Sequence, residues 1–202
     1  DSRKLGHKQR YGNILMPVYN GACTLETAYG NIEASDINAP YRVNIRYGNG
    51  RFGCIKSGTI DLKYSDLTAS SLENATVEIK YGKMIIESAH QMNIDSKYSN
   101  FTIGSCNGMV FNGGYDHVIL KSCGKLTYEN KYGELELGTL SGNATITGSY
   151  HSTGIKEIRP GVTSIKIEGS YGNVNIQSSG GYQYSVEGKY TSVKSSGQNQ
   201  VD

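Results

Sequence analysis

Apolar and polar residues alternate strictly along Ala75-Thr76-Val77-Glu78-Ile79-Lys80-Tyr81. Ala75, Val77, Ile79 and Tyr81 share one side, and Thr76, Glu78 and Lys80 share the other. A period of two over this length predicts a half-buried strand. The pattern returns in residues 43–47, 60–64, 92–98 and 126–132, each time ending on a tyrosine. After the tyrosine comes a small or turn-prone residue, Gly in six repeats and often followed by Asn, as in Gly30-Asn31 and Gly48-Asn49. Gly and Asn tolerate positive φ, so the chain is predicted to turn a corner there. A second short strand follows, with apolar residues three and five places after the tyrosine: Met84/Ile86, Phe101/Ile103, Leu135/Leu137. It closes on a small hydroxyl residue at position +7, such as Ser71, Ser88, Ser105 or Thr139.

The unit is a repeat. Tyr11, Tyr29, Tyr47, Tyr64, Tyr81, Tyr98, Tyr115, Tyr132, Tyr150, Tyr171 and Tyr190 recur mostly every 17 or 18 residues, with longer last intervals of 21 and 19. A fixed period is read before anything else because it decides the fold. Alignment of equivalent positions, coil on coil, is what a parallel β-solenoid needs. Seventeen residues at ~3.3 Å each give a perimeter of roughly 55 Å, enough for two short facing sheets. The predicted architecture is an all-β, right-handed parallel β-solenoid (a single-stranded β-helix). It has about ten coils of 17–18 residues with two short strands per coil. Residues 1–10 are expected to be a polar tail or cap, 11–194 the repeat domain and 195–202 a C-terminal tail. Arg159-Pro160-Gly161 lies in the 21-residue interval and predicts a loop insertion. The coils from Gly180-Gly181-Tyr182 onward read as looser.

Composition narrows the picture further. With 26 Gly, 3 Pro and 37% hydrophobic residues, the chain suits many short strands around a thin core. A formal net charge of +2 predicts neither a nucleic-acid nor a membrane partner. No apolar run of about 18 residues encodes a membrane span. The first residue is Asp1 rather than Met, so an export signal already removed is compatible with the chain.

Strand alternation gives the tyrosines a direction. Each shares parity with the buried set, so Tyr29, Tyr47, Tyr64, Tyr81, Tyr98, Tyr115 and Tyr132 are expected to form a structural ladder just inside the corner. An exposed aromatic stripe for sugar binding stays open, because corner residues can break parity. The basic residues before them, Arg46, Lys63, Lys80, Lys97 and Lys131, point outward and form a candidate row for an anionic glycan, or a solvated face that discourages aggregation. Asp61, Glu78 and Asp95 share that face and predict ion-pair ladders with the lysines. Cys106 and Cys123 both sit at position +8, which predicts stacked cysteines in adjacent coils, either as two free buried thiols or as a disulfide. The four histidines, His7, His90, His117 and His151, fall at unrelated phases and are expected to be exposed. They make no metal triad, and the expectation is no metal, no cofactor and no catalytic residue. The hydroxyl column is expected to cap turn amides.

The repeated Lys-Tyr-Gly-x-apolar-x-apolar pattern, with Tyr-Gly-Asn at residues 29–31, 47–49 and 171–173, resembles bacterial adhesin families of unassigned function. These include the auto-transporter adhesin head-like domains common in Bacteroidetes. The resemblance spans about residues 11–193. It implies a right-handed β-solenoid, export to the periplasm or cell surface, and a role at the envelope. It supplies no catalytic residues. The expectation is a non-enzymatic adhesin or binding scaffold, with a glycan or cell-surface protein as partner and end-to-end or side-to-side oligomers open. The alternatives are a carbohydrate-active β-helix enzyme, or a structural spacer and assembly module. The short, nearly uniform coils leave little room for an enzyme's groove of protruding loops.

Overall fold

The computed structural model describes residues 4–177 and 185–196. Among these every regular element is a strand, and the strands wind into a right-handed parallel β-solenoid of about 11 turns. Each strand pairs in parallel with its equivalent one coil later. Val43, Ile60, Val77, Ile94, Phe111 and Tyr128 follow one another in register, and Ile146 and Ile167 continue the column. All eight are buried. No coil closes a core alone, so the stack carries the stability.

Two short strands per coil describes the ends of the rod better than its middle. Asn49–Lys63, Asp66–Lys80, Lys83–Lys97, Asn100–Gly114 and His117–Lys131 are each one 15-residue strand that runs from one tyrosine to the next. The strand bends without breaking near position +8. In Lys83–Lys97 the buried residues are Met84, Ile86, Ala89, Met92, Ile94 and Ser96. The spacing changes from two to three on either side of Ala89. These two steps bend the chain around a short third side whose inner surface is Leu72, Ala89, Cys106, Cys123 and Leu140.

At the N-terminus, the expected tail is partly a coil. Leu5–Gln9 pairs residue for residue with Cys23–Thr27. At the other end, Ser192–Ser196 stacks on Asn173–Gln177, so the repeat continues to Ser196. The looser coils expected around Gly180-Gly181-Tyr182, and residues 197–202 of the expected tail, lie outside the described residues. The insertion is present as the link between strands Ser152–Ile158 and Ile165–Ser170, with Gly161 at φ +103°.

The sharp corner is the tyrosine itself. All ten ladder tyrosines from Tyr29 to Tyr190 have φ between 51° and 64°, in the left-handed region. This corrects two expectations. The following Gly does not take the positive φ, except for Gly12. Nor do the tyrosines point inward: they are exposed, and Tyr29 through Tyr132 are 43–53% exposed. A left-handed residue breaks the alternation, so position 0 faces out and position +1 faces in. Ser65, Ser99, Asp116 and His151, all at +1, are indeed buried.

The glycines at +1 serve close approach instead. A Cβ on Gly30 or Gly48 would lie 1.8 Å from a carbonyl oxygen of the preceding coil, and one on Gly82 would lie 2.1 Å away. Positions −2 and +1 share this corner and trade volume. Ile79 stands opposite Gly82, its Cδ1 3.3 Å from a would-be Cβ there. In the reverse arrangement Gly113 makes room for Asp116, since a Cβ there would lie 2.3 Å from its Oδ2. Likewise Gly148 faces His151, with a would-be Cβ 2.8 Å from the His151 Cβ. Constant filling is what a close-packed interior requires.

Candidate functional site: an exposed tyrosine ladder

Eleven tyrosines, Tyr11 to Tyr190, stack along one edge of the rod. Neighbouring ring centroids are 4.8–5.6 Å apart and all ten pairs are stacked, most within 10° of parallel. The ladder is roughly 50 Å long, following the inter-strand spacing of a parallel sheet. Its faces are covered by its own neighbours. Along the flank it offers ring edges and phenol hydroxyls, and at its first ring the Arg10 guanidinium lies over Tyr11, 5.6 Å from the centroid. Sugar stacking on ring faces is therefore not what the flank provides.

The backbone at each corner is held by the next coil. The amide N–H of Tyr81 donates to the Lys97 carbonyl at 3.0 Å, and the same bond recurs at Tyr29, Tyr47, Tyr64, Tyr98 and Tyr115. The column on one side is basic. Arg46, Lys63, Lys80 and Lys97 are in register and exposed, as the sequence predicts. Lys131 is also exposed but lies opposite Gly114, which interrupts the row. The expected ion-pair ladder is present at one coil: Lys80 Nζ pairs with Glu78 Oε1 at 2.7 Å, whereas Asp61 accepts from Asn44 Nδ2 at 3.3 Å and, among the described residues, Asp95 lies beyond ion-pair distance of Lys97. The Glu78 bond and charge, with smaller contributions from Asp95 and Asp61, raise the Lys80 pKa. The column on the other side begins as an asparagine ladder absent from the sequence-based expectations. The Asn31 N–H and Nδ2 donate to Asn13 Oδ1, and Asn49 repeats both bonds to Asn31 Oδ1, at 3.0–3.2 Å.

Behind the ladder, inside the corner, lies a polar cluster. Asp116 accepts from the Ser99 N–H and the Ser96 hydroxyl with Oδ1, at 2.8 and 2.9 Å, and from the Gly114 N–H with Oδ2 at 2.7 Å. Burial raises its pKa, and those three bonds oppose the rise. The Asn130 Nδ2 donates to the Asp116 carbonyl and to the Tyr128 hydroxyl, at 3.0 and 2.9 Å. The Tyr128 hydroxyl lies 3.2 Å from His151 Nε2. Burial lowers the His151 pKa to about 4, so the ring is neutral at pH 7 and can accept from the phenol. His151 thus contradicts its expected exposure, because the parity break at Tyr150 turns it inward. The signal was available: a large polar residue at +1 coincides with Gly at −2 in both the Asp116 and His151 coils.

Cys106 and Cys123 are in register and buried, and each carries a free thiol. The neighbouring Cys106 sulfur and burial both push the Cys123 thiol well up, so it stays protonated. Cys54, at position +7, is exposed. The hydroxyl column bonds differently than predicted. Ser88 and Ser122 donate to carbonyls of the preceding coil, at 3.3 and 3.5 Å, rather than capping amides. One histidine does meet possible metal ligands: His117, Glu134 and Glu136 place ligand atoms within 4.8 Å of one another. Comparing the phases of histidines alone missed this trio, because its other members are glutamates on the next coil. Among the described residues no helix is long and apolar enough to cross a membrane.

No family model matches this chain, and neither does any curated protein or solved structure.

Proposed function

We propose that this chain is a non-enzymatic binding scaffold, an adhesin-type rod exported to the cell envelope, whose tyrosine edge docks an extended anionic glycan. The observation that supports this is the residue chosen for the corner. A left-handed turn costs a non-glycine residue on the order of 1 kcal/mol, and Gly or Asn would meet it more cheaply. This chain places an exposed tyrosine there ten times. Ring stacking offsets part of that cost, and the outcome is a straight row of phenol hydroxyls beside Arg46, Lys63, Lys80 and Lys97. Phenols and lysines together suit a polymer bearing hydroxyls and carboxylates or sulfates. The neighbouring Asp61, Glu78 and Asp95 compete for those lysines. Exposed ion pairs are weak, so a multivalent ligand can displace them. Export and an envelope role rest on the repeat style of the sequence.

A glycan array containing neutral and acidic polysaccharides tests the reading. Expected are salt-sensitive retention of acidic chains and its loss in a Lys63→Ala/Lys80→Ala/Lys97→Ala variant of unchanged melting temperature. Retention that survives this variant overturns the docking edge. Silence across the array, with concentration-dependent oligomers in light scattering, favours an assembly module. That alternative has support in the first coil, where Leu5, Leu15 and Val18 are exposed. Depolymerisation of a polysaccharide by the purified protein would make the chain an enzyme.

A further inference from the structure

We propose that His117, Glu134 and Glu136 form a binding site for one divalent transition-metal ion of the Zn2+ type, on the sheet face beside the tyrosine ladder. The fold brings the three together without any loop. His117 and Glu134 occupy position +2 of adjacent coils and are direct register partners. Glu136 lies two residues further along the same strand and so faces the same way. His117 Nδ1 is 3.2 Å from Glu134 Oε2, and all three ligand atoms fall within 4.8 Å of one another. Ligands bound tetrahedrally at the usual Zn–N and Zn–O distances sit roughly 3.4 Å apart, so modest side-chain rotations complete the site.

Charge and ligand chemistry point the same way. Four glutamates elsewhere on the rod take lysine partners, in Lys8–Glu26, Lys56–Glu73, Lys80–Glu78 and Lys166–Glu168, while Glu33, Glu87 and Glu129 stand apart on the surface. Among the described residues neither Glu134 nor Glu136 has a lysine or arginine within ion-pair distance. Two carboxylates here share one imidazole, which leaves local negative charge for a cation to neutralise. An imidazole nitrogen with two carboxylates is a borderline donor set that suits zinc, nickel or copper. Calcium takes six to eight oxygens, and magnesium keeps an octahedral oxygen shell, so this trio suits both poorly. Three protein ligands leave at least one position open to water or to an anionic group. The ion would sit two residues along from Tyr115 and Tyr132. The proposal is independent of glycan docking, since it needs only these three side chains.

The test is isothermal titration of the full chain with Zn2+ alone at pH 7.5. A Cys54→Ser background keeps the exposed thiol from contributing. Expected are one ion per chain and preference over Ca2+ and Mg2+. His117→Ala should weaken binding at least tenfold and Glu136→Gln should also weaken it, with metal-free melting temperatures unchanged. No binding, equal binding by His117→Ala, or preference for Ca2+ would overturn the site.

Discussion

Tyr128 and Tyr132 stand four residues apart on one coil and live in opposite environments. Tyr128 is 1% exposed and stacks on Phe111 in the core, with its hydroxyl held by Asn130 and His151. Tyr132 is 48% exposed, stands at φ +56° and stacks on Tyr115 and Tyr150. Alternation assigns both to the inner face. It holds for Tyr128, at an even offset within the strand, and fails at Tyr132, where the backbone enters the left-handed region. The difference teaches that an aromatic period reports the fold, while the dihedral at the repeated position decides whether that aromatic builds core or surface.

The sharpest way to separate the two is truncation. Tyr128→Ala removes a fully buried ring and should cost about 3–5 kcal/mol in chemical unfolding, as large core truncations do. Tyr128→Phe keeps the ring but deprives Asn130 Nδ2 and His151 Nε2 of a buried partner, and should cost about 1–3 kcal/mol. A loss near zero for Tyr128→Ala would mean that this column is not core.

The inner side of the corner should also answer to pH. His151 has a folded pKa of about 4, below its unfolded value near 6.5, so the unfolded chain binds more protons between those limits. Its contribution to stability is therefore fully present above pH 6.5. It is lost as pH falls towards 4, by up to about 3 kcal/mol. Asp116 acts in the opposite sense, because its raised pKa lets the folded state take up a proton in acid more readily than the unfolded state does. Denaturant titrations from pH 7.5 to 4 should show a declining stability that flattens in His151→Gln. An unchanged slope in that variant would place the pH dependence elsewhere.

Much of this was legible in the chain. The 17-residue period, the inward set Ala75, Val77, Ile79 and the register of Cys106 with Cys123 follow from spacing alone, because parallel coils repeat position for position. The corner did not follow, for a physical reason. Left-handed φ is assigned by habit to Gly and Asn, so Gly30 and Gly48 drew the turn away from Tyr29 and Tyr47. Those glycines answer a close carbonyl in the coil before, a constraint between coils that one repeat read alone does not show. The clustering of His117 with Glu134 and Glu136 is likewise visible only when adjacent coils are laid side by side.

The smallest expected effect is also the one that weighs the ladder's two possible roles. Tyr81→Ala should lose the stacking with Tyr64 and Tyr98, each pair worth ~0.5–1.5 kcal/mol. It keeps a β-carbon at φ +56° and so keeps the strain. Tyr81→Gly loses the same stacking but relieves strain on the order of 1 kcal/mol, and should be the less destabilised of the two. Thermal melting of the pair measures the difference directly. If Ala melts above Gly by the ~0.4–1 kcal/mol that glycine's extra unfolded-state entropy costs, the dihedral carries no strain and the choice of tyrosine needs no functional account. If Gly melts above Ala and close to the parent, stacking barely offsets the turn. The tyrosines then stay because of what their hydroxyls and edges meet outside the rod.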